Sequence, residues 1–297
     1  MLSEYLLQQI ANNNPHLIHL NLRSKNISLE DCEELVKAFK TNTTITNLDL
    51  SWNYLFPEAM TILAEIFKTN TTLKSVNLNN NNLKAEGIFI LAEALDGNKT
   101  LKTLDIGNNA TYLPRGSEQE PISTLLEKAT ALTTLDVWNG CLGGSISSIA
   151  GVLETNTTLT NLNIGYADYS KEEFIAVANM LEKNKTLTDL NFQNINEKKL
   201  TVDKVQVISE AMNKNTSLCH LKLISSDYET ESIKEPIKAL NLKLKKNKPN
   251  DILPNVSQVP AGMFAHSGKV IEKPKKIADP TSLLMRKRAA SCPILRR

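Results

Sequence analysis

The chain has 297 residues, with 34 Lys and Arg against 32 Asp and Glu, and 41% hydrophobic but only 5% aromatic side chains. This length allows one long domain or two ordinary ones. The even charge hides an asymmetry: residues 247–297 carry ten basic and three acidic side chains, which leaves 24 and 29 on residues 1–246, and an acidic body argues against a nucleic-acid groove there. The four cysteines, Cys32, Cys141, Cys219 and Cys292, show no CxxC spacing, so neither a metal site nor a disulfide framework is expected. No basic-then-apolar start and no apolar run of membrane length is present, so the expectation is a reduced, cytosolic protein without a cleaved signal peptide.

Residues 2–11 form the first predicted helix, with Leu2, Leu6 and Ile10 on one side and Asn12 to Pro15 as its stop. Residues 1–16 are expected to be a helical cap, because the terminal unit of a repeat array has to cover exposed core. One phrase then recurs eight times, led by Leu17, Ile45, Leu73, Leu101, Leu132, Leu159, Leu187 and Leu218, at spacings of 28, 28, 28, 31, 27, 28 and 31 residues. A fixed period in this range denotes a solenoid whose units bury their apolar faces against one another.

The second unit shows the grammar. Ile45, Leu48 and Leu50 fall at positions 1, 4 and 6, which reads as a short strand, and Asn53 at position 9 is placed to bond the backbone of adjacent turns. Pro57 suits the first turn of a helix whose apolar face is Ala59, Ile62, Leu63, Ile66 and Phe67. Lys68 complements the helix C-terminus and Asn70 reads as a left-handed cap. The many Asn-x-Thr triplets, at Asn42, Asn70, Asn156 and Asn184 among others, are therefore helix-ending grammar rather than glycosylation sites. Ser28 with Asp31 and Ser170 with Glu173 match capping boxes. Residues 17–246 thus read as eight strand–helix units, parallel strands inside an arc and helices outside.

The stretch from Gly87 to Leu95, followed by Asn98, Thr100, Leu101, Leu104 and Ile106, resembles the ribonuclease-inhibitor type of leucine-rich repeat. The resemblance covers residues 17 to about 228 and implies a horseshoe that binds proteins on its concave side. The position-9 Asn departs from the pattern at Lys25, Gly140, Ala167, Ile195 and Ser226, and extra residues fall around Thr111 to Ser117 and Asn196 to Leu200. The same repeat class occurs in innate-immune receptors and in secreted effectors of intracellular bacteria. The short cap, uneven asparagine ladder and basic tail resemble the effectors, which implies action in host cytosol.

Position 5 runs Asn21, Asp49, Asn77, Asp105, Asp136, Asn163, Asn191, Lys222, a stripe acidic in its middle. Both tryptophans lie off the leucine positions: Trp52 at position 8 and Trp138 at position 7, with Tyr166 at position 8. Exposed aromatics beside charges are typical of protein hot spots. The expected docking patch is Asp105, Asp136, Trp138, Tyr166 and Trp52, with Asp49 at its edge, facing a partner that presents Lys or Arg and an apolar knob. A second reading of Trp52 packs it on Tyr54 or Phe56.

Residues 233–244 read as the last helix, and 247–297 as a basic, Pro-containing flexible tail. The clusters Lys273 to Lys276 and Arg286 to Arg288, and the apolar Ile294 and Leu295 near the end, leave three roles open: an import-receptor or anionic-lipid site, an export signal, or a linker. Catalysis is not expected. Cys219, His220 and Asp189 are the residue types of a thiol site, but successive strand residues point to opposite sides, and an open surface does not exclude water. Gly143 and Gly144 lack the surroundings of a phosphate loop. The expectation is a monomeric, non-enzymatic protein without metal or cofactor that docks one protein partner and sterically inhibits an enzyme. The alternative is an adaptor joining that partner to a receptor or membrane bound by the tail.

Overall fold

The structure, a computed structural model, describes residues 2–109, 120–140, 146–193, 200–224 and 231–248. The insertion at Thr111 to Ser117, Gly143 and Gly144, Asn196 to Lys199, Cys141, Cys292 and the tail beyond Lys248 lie outside them.

Strands and helices alternate along the chain. The order is α1 (Glu4–Ala11), β1 (His19–Asn21), α2 (Leu29–Phe39), β2 (Asn47–Asp49), α3 (Pro57–Thr69), β3 (Ser75–Asn77), α4 (Lys84–Leu95), β4 (Thr103–Asp105) and α5 (Pro121–Lys128). It continues through β5 (Thr134–Asp136), α6 (Ile146–Leu153), β6 (Asn161–Asn163), α7 (Lys171–Lys183), β7 (Asp189–Asn191), α8 (Val202–Ala211), β8 (His220–Lys222) and α9 (Glu231–Asn247). The eight strands form one parallel sheet in chain order. Position 5 of each strand pairs with position 5 of the next, from Asn21 with Asp49 to Asn191 with Lys222. The 31-residue spacings are therefore absorbed outside the strands. Neighbouring strands sit about 4.8 Å apart and packed helices about 8–10 Å apart, so the array curves with the sheet on its concave side.

Strands β1 to β7 bury their middle residue, from Leu20 and Leu48 through Val76 to Leu190, in a stack with the lead position and position 6, such as Ile45 and Leu50, while Leu221 of β8 is half-buried. The helices close the core from outside: in α3, Ala59, Met60, Leu63, Ala64, Ile66 and Phe67 are buried. Pro57 opens that helix, and Ser28 and Ser170 make the two expected capping boxes. At the N-terminal end Ile10 is fully buried, and Asn42 Nδ2 donates to its carbonyl at 2.7 Å.

Two asparagine ladders satisfy the backbone at the corners. At position 9, Asn81 Nδ2 donates to the carbonyls of Leu50 and Leu78, both at 2.9 Å, while its Oδ1 accepts from the amides of Asn53 and Leu55. Asn53 and Asn109 repeat this pattern one turn either side. The second ladder uses the Asn of the recurrent phrase. Asn70 Oδ1 accepts from the amides of Thr72 and Leu73, and its Nδ2 donates to Asn42 O at 3.1 Å. Asn98, Asn156, Asn184 and Asn215 hold the same two following amides. This corrects the expectation of a left-handed cap: Asn70 has φ −77° and ψ 128°, an extended residue whose side chain folds forward onto the next strand. The last helix is longer than expected, reaching Asn247, whose amide group continues this ladder to Asn215 O and Leu218 O.

Candidate functional site

Position 5 faces the arc but is tied down. In seven successive repeats its side-chain oxygen accepts from the backbone amide of position 7: Asn21 from Arg23, Asp49 from Ser51, Asn77 from Asn79, Asp105 from Gly107, Asp136 from Trp138, Asn163 from Gly165 and Asn191 from Gln193. This is an Asx turn, which Asn and Asp make because their short side chains reach two residues ahead. The polar stripe therefore has a structural cause: it turns the chain out of each strand.

Three of these side chains, Asp105, Asp136 and Asn163, are also buried. Asp105 is 5% and Asp136 3% exposed, and they are register partners on β4 and β5. Asn79 Nδ2 donates to Asp105 Oδ1 at 3.2 Å, and Asn163 Nδ2 to Asp136 Oδ2 at 2.9 Å. Burial, together with the adjacent Asp105 carboxylate, pushes the Asp136 carboxyl up to about 8, so it holds its proton more readily than an exposed carboxyl. The middle of the stripe is thus far less anionic than its composition suggests. Asp49 is half-buried, with Ser51 Oγ donating to it at 2.6 Å.

Position 8 is left-handed in the first six repeats: Ser24, Trp52, Asn80, Asn108, Asn139 and Tyr166 have φ between 54° and 71°. The cause is a regular bond in which the position-8 amide donates to the position-7 carbonyl of the next repeat, as Trp52 N does to Asn79 O at 2.9 Å and Tyr166 N to Gln193 O at 2.6 Å. Asn tolerates that conformation, whereas a bulky aromatic there is an outlier. Trp52 and Tyr166 are held in it and are 40% and 37% exposed.

The expected patch falls into two groups. Trp138 stacks on Tyr166, with centroids 4.8 Å apart and planes at 29°, and Trp138 N donates to Asp136 Oδ1 at 2.8 Å. Asp105, Asp136, Trp138 and Tyr166 therefore belong together across repeats four to six. Trp52 and Asp49 lie in repeat two, where the Arg23 guanidinium sits 5.5 Å from the centre of the Trp52 ring. Arg23 was not singled out from the sequence, although its alignment with Ser51 at position 7 places it beside Trp52. Tyr54 and Phe56, the packing partners offered by the second reading of Trp52, are 51% and 42% exposed themselves.

At the C-terminal end His220 Nδ1 lies 2.7 Å from Asp189 Oδ1. The neighbouring thiol is directed elsewhere: Cys219 Sγ donates toward the carbonyls of Ser217 at 3.4 Å and Asn247 at 3.3 Å. Burial raises the Cys219 thiol, with the Asp189 carboxylate acting in the same direction, and this keeps it protonated. These groups do not make a nucleophile–base pair. Among the described residues no group of three or more His, Cys, Asp or Glu is placed to hold a metal ion, and no helix is long and apolar enough to cross a membrane.

The parallel strands, outer helices and asparagine ladders define a leucine-rich repeat solenoid. A family model described as the TMOD/LMOD leucine-rich domain matches residues 3–143. The leucine-rich repeat-containing protein LegL7 from Legionella pneumophila is similar over 82% of this chain and 78% of its own, at 18% identity and a TM-score of 0.54. The leiomodin-1 actin-binding site 2 is similar over 62% of this chain and 91% of its own, at 23% identity and a TM-score of 0.40. The tropomodulin C-terminal domain from Caenorhabditis elegans is similar over 64% and 92%, at 16% identity and a TM-score of 0.41. No curated protein matches the sequence. The LegL7 likeness speaks to the repeat fold, and the family-model match covers slightly less than half of the chain.

Proposed function

We propose that the solenoid docks one protein partner on its concave side and, where that partner is an enzyme, inhibits it by covering its active site. The observation that carries this reading is the Trp138–Tyr166 stack, two large aromatic side chains from adjacent repeats joined at the exit of the strands. Aromatic anchors of this size dominate interface energetics when a partner excludes water from them. Asp105 and Asp136 contribute from beneath by fixing the corner that presents Trp138, and Trp52 and Asp49 extend the contact toward the N-terminal repeats. Because Asp136 is buried and already hydrogen-bonded to Trp138 N and Asn163 Nδ2, the partner side chain that meets the stack is apolar or hydrogen-bonding, and a Lys or Arg is not required. Occlusion needs an interface of about 1,200–2,000 Å² and no chemistry from this chain.

Within the same reading the protein is a secreted bacterial effector acting in host cytosol on a host protein or on another effector. What supports that part is the resemblance of the repeats and cap to such effectors.

The test is capture by immobilised wild type and by a Trp138→Ala/Tyr166→Ala variant, followed by an assay of the captured partner. Retention by the wild type alone, with loss of the partner's activity at saturation, is the expected result. Equal retention by both proteins removes the site. A captured partner that stays fully active replaces inhibition with the adaptor reading, which deletion of residues 247–297 then tests.

A further inference from the structure

The corner between strand and helix differs sharply in repeats one to three from the Trp138–Tyr166 region. In repeat two, residues 52 to 56 alternate: Trp52, Tyr54 and Phe56 are exposed, while Asn53 and Leu55 between them are buried. Their backbone is left-handed at both Trp52 (φ 61°) and Tyr54 (φ 57°). The neighbouring repeats meet those two positions with residues that suit them, Ser24 and Asn26 on one side and Asn80 and Asn82 on the other. Repeat two has aromatic rings at both, and folding gains little from rings left in water.

The corner loops themselves are basic, and Glu58 and Glu86 follow them in the first turns of α3 and α4. The corner segments 23–26, 51–57 and 79–84 hold Arg23, Lys25 and Lys84 and no Asp or Glu, although residues 1–246 are acidic as a whole. Lys25 and Lys84 are exposed and make no ion pair among the described residues. Arg23 lies over Trp52, with Ser51 Oγ at 3.4 Å as its polar contact. The nearest strand carboxylate, Asp49, is occupied by Ser51. A cation stacked on an aromatic ring keeps its outward N–H groups for a carboxylate.

We propose that this corner is a docking surface for an acidic segment of a partner protein, one in which Asp or Glu flanks apolar or aromatic side chains. The cations recognise the carboxylates and the three rings receive the apolar side chains. The chain's own residues 247–297 do not fit the role, since they carry ten basic side chains against three acidic ones. This surface lies apart from the Trp138–Tyr166 stack, and Trp52 is the residue it shares with the N-terminal edge of the concave contact proposed above.

The experiment selects from a random 12-residue peptide library on immobilised full-length protein, then measures the selected peptide, labelled with fluorescein, by anisotropy. The control is Trp52→Asn/Tyr54→Asn, which installs the residue that repeat three carries at both positions and so preserves the fold; circular dichroism confirms it. The expected result is a consensus with at least two Asp or Glu around Leu, Ile or Phe. Its binding should weaken at least tenfold in the double variant and in Arg23→Ser, weaken as salt rises from 50 to 250 mM, and stay unchanged in Trp138→Ala. A basic or uncharged consensus, the absence of any consensus, or binding retained by the double variant overturns the proposal. So does tighter binding of a labelled oligouridylate than of the peptide, or a self-association of the wild type that the double variant abolishes.

Discussion

The hydroxyl of Tyr169 donates to the backbone carbonyl of Ile164, the position-6 acceptor of repeat six. The equivalent carbonyls of Leu50, Leu78 and Ile106 are served by the position-9 side chains Asn53, Asn81 and Asn109. Repeat six has Ala167 at position 9, and the tyrosine two residues further on replaces the missing amide from within the core. Its ring stacks on Phe192 with centroids 4.1 Å apart, and Lys204 Nζ donates to its carbonyl at 2.6 Å. Tyr169→Phe should therefore strand a buried carbonyl and cost about 1–3 kcal/mol. Tyr166→Phe, at an exposed ring, should change stability by less than about 0.5 kcal/mol. Urea denaturation of the two variants makes the comparison, and equal midpoints would remove the substitution argument.

Asn81 is the centre of the intact part of the ladder. It is fully buried and ties two carbonyls and two amides drawn from two repeats. Asn81→Ala leaves those groups without their partner in a place water does not reach. The expected loss is at least about 3 kcal/mol, read as a lowered urea midpoint. A loss under about 1 kcal/mol would show that the corner relaxes and that the ladder is dispensable.

The ladder was legible in the sequence because each Asn serves the same backbone groups one period along, so physics and spacing repeat together. The role of Asn70 was misread because Asn suits both a left-handed cap and an Asx turn, and only the backbone angles separate them. The burial of Asp105 and Asp136 was not legible, since it depends on what stands on the neighbouring strands. Gly107 shows how close that packing is: a Cβ there would lie 2.7 Å from Asn79 Nδ2 and 3.1 Å from the Trp138 carbonyl oxygen. The patch drawn from composition joined Trp52 to Trp138, whereas the stacking partners are Arg23 for the first and Tyr166 for the second. Stacking depends on which side each ring turns, which a one-dimensional spacing does not encode.

Trp52 offers a stability test of the strained corner. Relief of an aromatic side chain in the left-handed region is worth about 1 kcal/mol. The lost contact with Arg23 is worth about 0.5–1 kcal/mol at an exposed site. Trp52→Asn should therefore leave thermal stability equal to the wild type or slightly above it, an unusual outcome for loss of a tryptophan. A fall in Tm equivalent to more than about 2 kcal/mol would mean that the ring is part of the core.

Asp136 makes stability depend on pH in a direction opposite to a salt-bridged carboxylate. Its carboxyl is raised from 3.8 to about 8 in the folded chain, by burial first and by Asp105 second. Between those values the native state holds a proton that the unfolded chain has lost, so stability falls as pH rises. The contribution is complete below about pH 4 and gone once the pH passes about 8. Asp136→Asn removes this titration. Its amide oxygen can still accept from Trp138 N, but its NH₂ meets the donor of Asn163, so a constant loss is expected beside the change in slope. Urea midpoints from pH 5 to 8.5 should decline more steeply for the wild type than for the variant. Parallel curves would show that Asp136 ionises at its ordinary value and that the centre of the concave stripe is anionic after all.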